Sequence, residues 1–96
     1  MRVVLSDKAE FDLIRIYRYL AERNPKAAET LIERIDANFA NLERFPFIGR
    51  DRSGLAPGLR CLVVGIHLIF YTVGDDRITV VRVIDRRMDV EEEFHR

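Results

Sequence analysis

The chain has 96 residues, of which 48% are apolar and 33% charged, a composition typical of a folded globular protein and not of a disordered one. The length predicts a single domain spanning residues 1–96. The formal net charge of zero excludes a protein that captures nucleic acid through a uniformly basic surface, so we expect no direct DNA binding by this chain alone.

Sequence signals for membrane insertion or secretion are missing, so we expect a cytoplasmic protein. No run of about 18 apolar residues could form a transmembrane helix, and the N-terminal residues lack the apolar centre of a signal peptide. Cys61 is the single cysteine, which excludes an internal disulfide and suits a reducing compartment. Because Cys61 has no partner cysteine and His67 and His95 are far apart, we expect no metal site, and no phosphate-binding motif indicates a cofactor.

The N-terminal half predicts a short strand followed by two helices. Residues 2–5 are rich in β-branched side chains, and Ser6 then occupies a favourable N-cap position. A first helix should end near Arg23, because Asn24 is a good N-cap for a second helix and Pro25 suits its first turn. The second helix should end at Pro46, which gives an antiparallel helical hairpin. The core-facing side of the first helix should carry apolar residues at helical spacing, namely Ala9, Phe11, Leu13, Ile14, Ile16, Tyr17 and Leu20.

The stretch from Leu59 to Ile84 predicts three antiparallel strands. Gly65 and the turn at residues 74–76 divide it into three runs, and the connections are too short to contain helices. The middle run, Ile66 to Val73, is apolar on both faces, as expected of a central strand. The sequence therefore predicts an α+β fold with the order β-α-α-β-β-β. In this fold the helical hairpin packs on a twisted, mainly antiparallel sheet.

Two helices can cover only one face of such a sheet, so we expect the other face to be exposed. We assign Ile69, Tyr71 and Val73, or the alternate residues of the same strand, to an exposed groove that binds a protein partner. Residues 47–58 should form a long loop, and residues 86–96 form either a short helical turn or a loose tail.

Arg60, His67 and Arg82 are polar residues within the predicted strands, and two of them, His67 and Arg82, each have two interpretations. His67 is either a strand histidine satisfied by a neighbour or a general acid or base, since an unperturbed histidine titrates near pH ~6.5. Arg82 has the alternation phase of the apolar residues Ile78, Val80 and Ile84. A charge there either binds a partner or forms an intramolecular ion pair.

Six short motifs occur in the same order as in a known family. They are Leu5-Ser6-x-x-Ala9-x-x-Asp12-Leu13, Tyr19-Leu20-x-x-x-Asn24-Pro25, Phe45-Pro46-x-x-Gly49-Arg50, Pro57-Gly58-Leu59-Arg60, Val64-Gly65-x-x-Leu68-Ile69-Phe70-Tyr71 and Val81-Arg82-Val83-Ile84. Together they resemble the RelE/ParE superfamily of bacterial toxins, and the ParE branch most closely. The resemblance implies a toxin of a type II toxin–antitoxin pair. It also implies that the C-terminal segment of a cognate antitoxin lies across the toxin and neutralises it.

The resemblance to ParE implies an inhibitor that binds DNA gyrase and performs no chemistry of its own. We expect its anchors to be outward-facing arginines, a residue type enriched at interface hot spots. The candidates are Arg60, Arg82, Arg86 and Arg87. The antitoxin would be a small DNA-binding protein encoded next to the toxin. A helix or strand of this antitoxin would occupy the groove assigned above to Ile69, Tyr71 and Val73 or their alternates.

The resemblance to RelE implies an alternative function, that of a ribosome-dependent mRNA endonuclease. Its site would be built from Arg60, His67, Arg82 and Arg87. Compared with the RelE pattern, Leu62 and His67 stand where basic residues are expected, and Phe94 is the aromatic residue nearest to an expected C-terminal tyrosine. A third alternative is a toxin that has lost its activity and only binds its antitoxin. Of the three, we favour the gyrase inhibitor.

Overall fold

The computed structural model describes residues 1–95 and has the predicted α+β order of elements, with two additions. The elements are β1 (Arg2–Leu5), α1 (Asp7–Arg23), α2 (Pro25–Arg44), β2 (Arg50–Asp51), β3 (Arg60–Val64), β4 (His67–Val73), β5 (Arg77–Asp85) and α3 (Val90–Phe94). The strand β2 lies within the segment that was predicted as a loop. Of the two alternatives for the C-terminal tail, a short helical turn or a loose segment, the structure has the short helix α3.

The two long helices begin where their capping residues predict. The Ser6 hydroxyl accepts a hydrogen bond from the Ala9 amide at 3.1 Å and begins α1. The Asn24 amide donates to the Leu20 carbonyl at 2.6 Å and ends α1. The Asn24 side-chain oxygen accepts from the Ala27 amide at 3.2 Å and begins α2. Because a single residue ends one helix and caps the next, the chain reverses sharply there, as a helical hairpin requires.

Five strands form one sheet in the order β1-β5-β4-β3-β2, so β4 is the central strand, as predicted. The strand β1 pairs in parallel with β5, with Leu5 opposite Val80. The other neighbouring pairs are antiparallel, and in the β3–β4 hairpin Val64 lies opposite His67. A parallel pair needs a crossover connection, and the helical hairpin lies in the connection that leaves β1.

The helical hairpin covers one face of this sheet. Ile69 and Tyr71 of β4 are both 0% exposed and belong to the core under the helices. Val73 is half-buried and packs against the same core. The predicted exposure of these three residues is therefore wrong, because theirs is the face on which α1 and α2 pack.

The alternate residues of β4 do not form an exposed groove either, because other parts of the chain cover the second face. Phe70 is 0% exposed and packs with Leu55 and Leu59 from the loop before β3. From the C-terminal side, the ring of Phe94 in α3 meets the ring of Phe70 edge-on, with 4.8 Å between centroids. This cover was not predicted from the sequence, because loops and chain ends are normally surface segments, although this loop and this tail both carry apolar residues that need burial.

An irregularity in β5 changes which face its residues occupy. Phe70 lies opposite Arg82, but the next residue of β4, Tyr71, lies opposite Val80, so Val81 is an extra residue in β5. Before this bulge Val80 faces the helices, and after it Val83 does so. The predicted common phase of Arg82 with Ile78 and Val80 is therefore wrong. Its common phase with Ile84 is confirmed, because the two residues lie opposite Phe70 and Leu68 of β4.

Candidate functional site

The bulge in β5 is stabilised by a buried carboxylate from α1. Asp12 is 3% exposed, and its Oδ2 accepts a hydrogen bond from the Val83 amide at 2.9 Å. The same carboxylate accepts from Arg82, with Nε at 2.8 Å from Oδ2 and Nη2 at 3.1 Å from Oδ1. These bonds satisfy a buried backbone amide and neutralise a buried acid at once.

Arg82 connects three elements and does not face outward. Besides binding Asp12 of α1, its Nη2 lies 3.1 Å from Oε1 of Glu93 in α3. Hydrogen bonding to Asp12, followed by that to Glu93, raises the pKa of the Arg82 guanidinium, although burial opposes the shift. Its side chain is only 13% exposed. Of the two interpretations of Arg82, the intramolecular ion pair is the one present, and its assignment as an outward-facing anchor is wrong.

The structural role of Asp12 was not predicted, although the sequence contains a signal for it. Asp12 follows Ala9 by three residues and precedes Ile16 by four, so it lies on the core-facing stripe of α1. An acid on such a stripe needs a buried donor, and Arg82, one of the cations within the strands, supplies it.

A groove of about 520 Å³ runs between α1 and the turn that follows β5, and we call it the α1 groove. Its apolar and aromatic lining comes from α1, from the β3–β4 turn and from the turn after β5. It includes Ile16, Tyr19, Leu20, Ile66 and Met88. Arg15, His67, Asp85 and Arg87 add polar groups to this lining. The groove is therefore an apolar channel with charged groups at several points along it.

His67 lies in the α1 groove as a buried polar residue. It is 8% exposed, and its ring makes no hydrogen bond to another residue in the part of the chain that the structure describes. Burial lowers the pKa of the imidazole below its ordinary value, with Asp85 opposing the shift and Arg87 adding to it. His67 is therefore neutral at pH 7 and offers one N–H donor and one acceptor nitrogen. The interpretation as a strand histidine bonded to a neighbour does not hold for residues 1–95.

The turn after β5 carries two exposed arginines. Arg87 forms a close ion pair with Asp85, with Nη2 at 2.6 Å from Oδ2, yet its side chain remains 79% exposed. Hydrogen bonding to Arg87 is the main reason that the pKa of Asp85 falls to about 2. The side chain of Arg86 is exposed and makes no hydrogen bond or ion pair within residues 1–95. Both guanidinium groups can therefore reach a partner.

Arg60 lies at the opposite end of the β3–β4 hairpin from His67. Its Nη1 donates to the carbonyls of Phe47 at 3.2 Å and Gly49 at 2.8 Å, which holds the loop after α2. Arg60 is paired with Tyr71, four residues along β4 from His67, a separation of about 13 Å along the strand. The structure therefore brings His67 and Arg87 together but leaves Arg60 apart from them.

Neither metal binding nor membrane insertion finds support in residues 1–95. No group of three or more His, Cys, Asp or Glu residues is arranged to hold a metal ion there. No helix in this part of the chain is long and apolar enough to cross a membrane.

Comparison with known proteins identifies the family. Residues 3–90 match the family model described as the ParE toxin of type II toxin-antitoxin system, parDE. The chain belongs to the ParE toxin family. Toxin ParE3 of Caulobacter vibrioides is 36% identical over 90 residues, which cover 93% of this chain and 90% of that protein. Toxin ParE1 of Mycobacterium tuberculosis is 36% identical over 96 residues, with 94% of each chain covered.

Solved structures share the fold of this ParE-family toxin. A structure described as the chromosomal ParDE TA system from P. aeruginosa matches with a TM-score of 0.74 at 23% identity, covering 88% of this chain and 95% of that one. A structure described as a YoeB/ParE toxin from Agrobacterium tumefaciens matches with a TM-score of 0.65 at 20% identity, covering 88% and 98%. The ParE match ends at residue 90, so it includes the α1 groove and reaches only the first residue of α3.

Proposed function

We propose that this ParE-family toxin stops growth by binding DNA gyrase and that it performs no chemistry of its own. We also propose that a cognate antitoxin, a small DNA-binding protein encoded next to it, neutralises it. Membership of the ParE family supports the toxin–antitoxin assignment, and the arrangement of the arginines supports binding over catalysis.

The observation that carries the choice against RNA cleavage is the dispersal of the candidate catalytic groups. Arg82 is occupied by Asp12 and Glu93, and Arg60 binds two loop carbonyls far along the hairpin from His67. Cleavage of RNA needs proton transfer and charge stabilisation converging on one phosphodiester. A single pair, His67 with Arg87, does not provide both proton transfer and charge stabilisation on each side of the scissile bond.

A protein target agrees better with the charge distribution. The formal net charge is zero, so the molecule gains little from the phosphate contacts that give nucleic-acid binding its affinity. Arg86 and Arg87 are exposed on a short turn that β5 holds in position. Exposed arginines on a rigid support are suitable anchors for a protein surface. We therefore assign target binding to Arg86 and Arg87 rather than to Arg60 or Arg82.

The test is a plasmid supercoiling assay with purified gyrase. We expect the wild-type toxin to inhibit supercoiling and an Arg86→Ala/Arg87→Ala variant to inhibit it roughly 30- to 1000-fold less effectively, which corresponds to about 2–4 kcal/mol of lost binding. The matched control is Arg2→Ala/Arg18→Ala, which removes two exposed arginines elsewhere and should retain the wild-type effect. Circular dichroism checks that both variants are folded.

Two results would contradict the proposal. Unchanged supercoiling at toxin concentrations well above those that stop growth would exclude gyrase as the target. Codon-phased cuts in ribosome-bound mRNA, mapped by primer extension and lost in a His67→Ala variant, would instead support the endonuclease alternative.

A further inference from the structure

We propose that Asp85 is a positioning residue of the target-binding turn: it holds one edge of the Arg87 guanidinium and leaves the other edge to bind a carboxylate on the surface of gyrase. The inference rests on the proposed function for the identity of the target. It adds a residue that acts through Arg87, and it names the chemical group that Arg87 binds.

The backbone of the turn after β5 is fixed at three points. The Arg86 amide donates to the Ile66 carbonyl at 2.8 Å, and the Met88 amide donates to the Asp85 carbonyl at 2.9 Å. Between them, the Arg87 amide donates to Oδ1 of Asp85 at 2.8 Å, which forms an Asx-turn. The side chain of Arg87 therefore extends from a backbone of defined position.

The same carboxylate holds the side chain of Arg87 along one edge. Nε lies 3.0 Å from Oδ1 and 3.1 Å from Oδ2 of Asp85, and Nη2 lies 2.6 Å from Oδ2. This is the fork geometry of a bidentate arginine–carboxylate pair. A long side chain costs free energy to order when it enters an interface. Because Asp85 orders Arg87 in the free toxin, less of that cost remains for binding.

The other edge of the Arg87 guanidinium is available to a partner. Asp85 engages Nε and one hydrogen of Nη2, and Nη1 makes no hydrogen bond within residues 1–95. Since a guanidinium is planar, Nη1 and the second hydrogen of Nη2 form a second fork at its end. Such a fork matches the two oxygens of a carboxylate. The side chain is 79% exposed, so a carboxylate of another protein can reach it.

The local charge favours a protein carboxylate over the phosphates of nucleic acid. Residues 85–89 contain two arginines and two aspartates, so the turn has no net charge. Affinity for nucleic acid comes from several cations that each neutralise a phosphate. One oriented fork beside an already paired carboxylate instead selects a single acceptor by its geometry. We therefore assign the free edge of Arg87 to a carboxylate of the protein target.

Exposed apolar side chains do not locate the target site, because they are spread along α1. Tyr19 lies beside Arg87 in the α1 groove and is 58% exposed. Three residues of α1 that were predicted to face the core are also exposed, namely Phe11, Ile14 and Tyr17. The assignment to the turn after β5 therefore depends on the geometry of Asp85 and Arg87.

Plasmid supercoiling with purified gyrase tests the role of Asp85 in the full-length toxin. Asp85→Asn keeps an oxygen for the Arg87 amide but loses the carboxylate that holds the guanidinium at two nitrogens. We expect this variant to inhibit gyrase about three- to tenfold less effectively, because the target must then order the arginine. The matched control is Asp76→Asn at the other end of β5, where Asp76 pairs with Arg77 at 3.2 Å. The control should stay within about twofold of wild type.

The opposite result is expected if only the charge of Asp85 matters. Removal of a negative charge beside a carboxylate of the target would then strengthen inhibition. An Asp85→Asn toxin that is folded by circular dichroism and inhibits as well as wild type, or better, would overturn the inference.

A double-mutant cycle tests whether Asp85 acts through Arg87. In an Arg87→Ala background, Asp85→Asn should change inhibition by less than about twofold, because no guanidinium is left to position. A full loss in that background would mean that Asp85 only supports the turn, and would overturn the inference. Arg87→Lys keeps the charge without the fork, so it should inhibit as weakly as Asp85→Asn. Wild-type inhibition by Arg87→Lys would also count against the proposal.

Two further measurements separate this inference from the proposed function. In NMR spectra of the toxin alone, the Nε–H of Arg87 should exchange with water more slowly than that of Arg86, and Asp85→Asn should remove the difference. Equal exchange in the wild type would overturn the inference. In calorimetry without DNA, the toxin should bind gyrase, and Asp85→Asn should weaken binding by the factor seen in the supercoiling assay.

The outcomes of these two measurements are distinct. Binding that requires DNA would assign the free edge of Arg87 to a phosphate and overturn the assignment to a carboxylate. Slow exchange at Arg87 in a toxin that neither binds nor inhibits gyrase would overturn the proposed function, and with it the target named here. Inhibition of gyrase that Asp85→Asn leaves unchanged would overturn this inference alone.

Discussion

Replacing Asp12 by Ala tests whether the buried carboxylate holds the toxin together. Asp12 is the acceptor for the Val83 amide at the bulge of β5 and for two nitrogens of Arg82. Truncation to Ala removes these three bonds and the 3.5 Å contact with Arg15 in one step. It leaves a buried amide without an acceptor and a largely buried guanidinium with Glu93 as its remaining partner.

The expected loss of stability follows from the unsatisfied Val83 amide and the incompletely paired Arg82 guanidinium. An unsatisfied buried amide costs about 1–3 kcal/mol, and removal of one partner from a buried ion pair costs about 3–5 kcal/mol. Because Glu93 still pairs with Arg82, we expect a combined loss of about 3–5 kcal/mol and not the full sum. A domain of this length has a free energy of unfolding of about 5–14 kcal/mol, so Asp12→Ala should remove a large part of it.

Urea unfolding followed by circular dichroism measures this loss directly. Asp36→Ala is the matched control, because Asp36 is an exposed acid on α2, and its replacement should change stability by less than about 0.5 kcal/mol. Arg82→Met and the double variant complete a cycle. The double variant should be more stable than the sum of the single losses predicts, because neither charge is then left alone.

A loss below about 1 kcal/mol for Asp12→Ala, with a native spectrum, would refute this reasoning. It would mean that the Val83 amide and Arg82 find other partners at no cost. Additive losses in the cycle would show that Asp12 and Arg82 act independently.

Two further predictions concern a glycine and a histidine. Gly49→Ala should lower the free energy of unfolding by about 1–3 kcal/mol, because its Cβ would lie 2.5 Å from the Tyr71 hydroxyl that accepts the Gly49 amide hydrogen bond. Gly54→Ala, which adds a methyl group in open space, should stay within about 0.5 kcal/mol in the same urea titration, and equal losses for both would contradict the prediction. For His67, burial holds the pKa in the folded state below that in the unfolded state, so the unfolded state binds the proton more readily. Stability should therefore be complete above about pH 6.5 and fall as the pH drops towards the folded-state pKa. Unfolding curves between pH 7.5 and 5 should show this loss in wild type and a smaller one in His67→Gln, and equal slopes would disprove it.

Local signals in the sequence determined most of the fold. Ser6, Asn24 and Pro25 specify where the helices begin, because capping depends on side chains within three residues of the helix end. The two turns around Gly65 and Gly74 divide the C-terminal half into strands, and the apolar run between them indicated a central strand. The order of motifs also indicated the ParE family. Each of these inferences uses information that is contiguous in the chain.

The candidate site depends on contacts that no local pattern contains. Asp12 and Arg82 are 70 residues apart and meet only because α1 packs across β5. One extra residue at Val81 shifts the alternation of β5. The face predicted for Arg82 relative to Ile78 and Val80 was therefore wrong. Which face of β4 is covered, and by what, likewise depended on the docking of α3 and the preceding loop. The alternation of side chains along β4 shows that the strand has two apolar faces. Only the packing of distant segments decides what covers each face and which groove remains open.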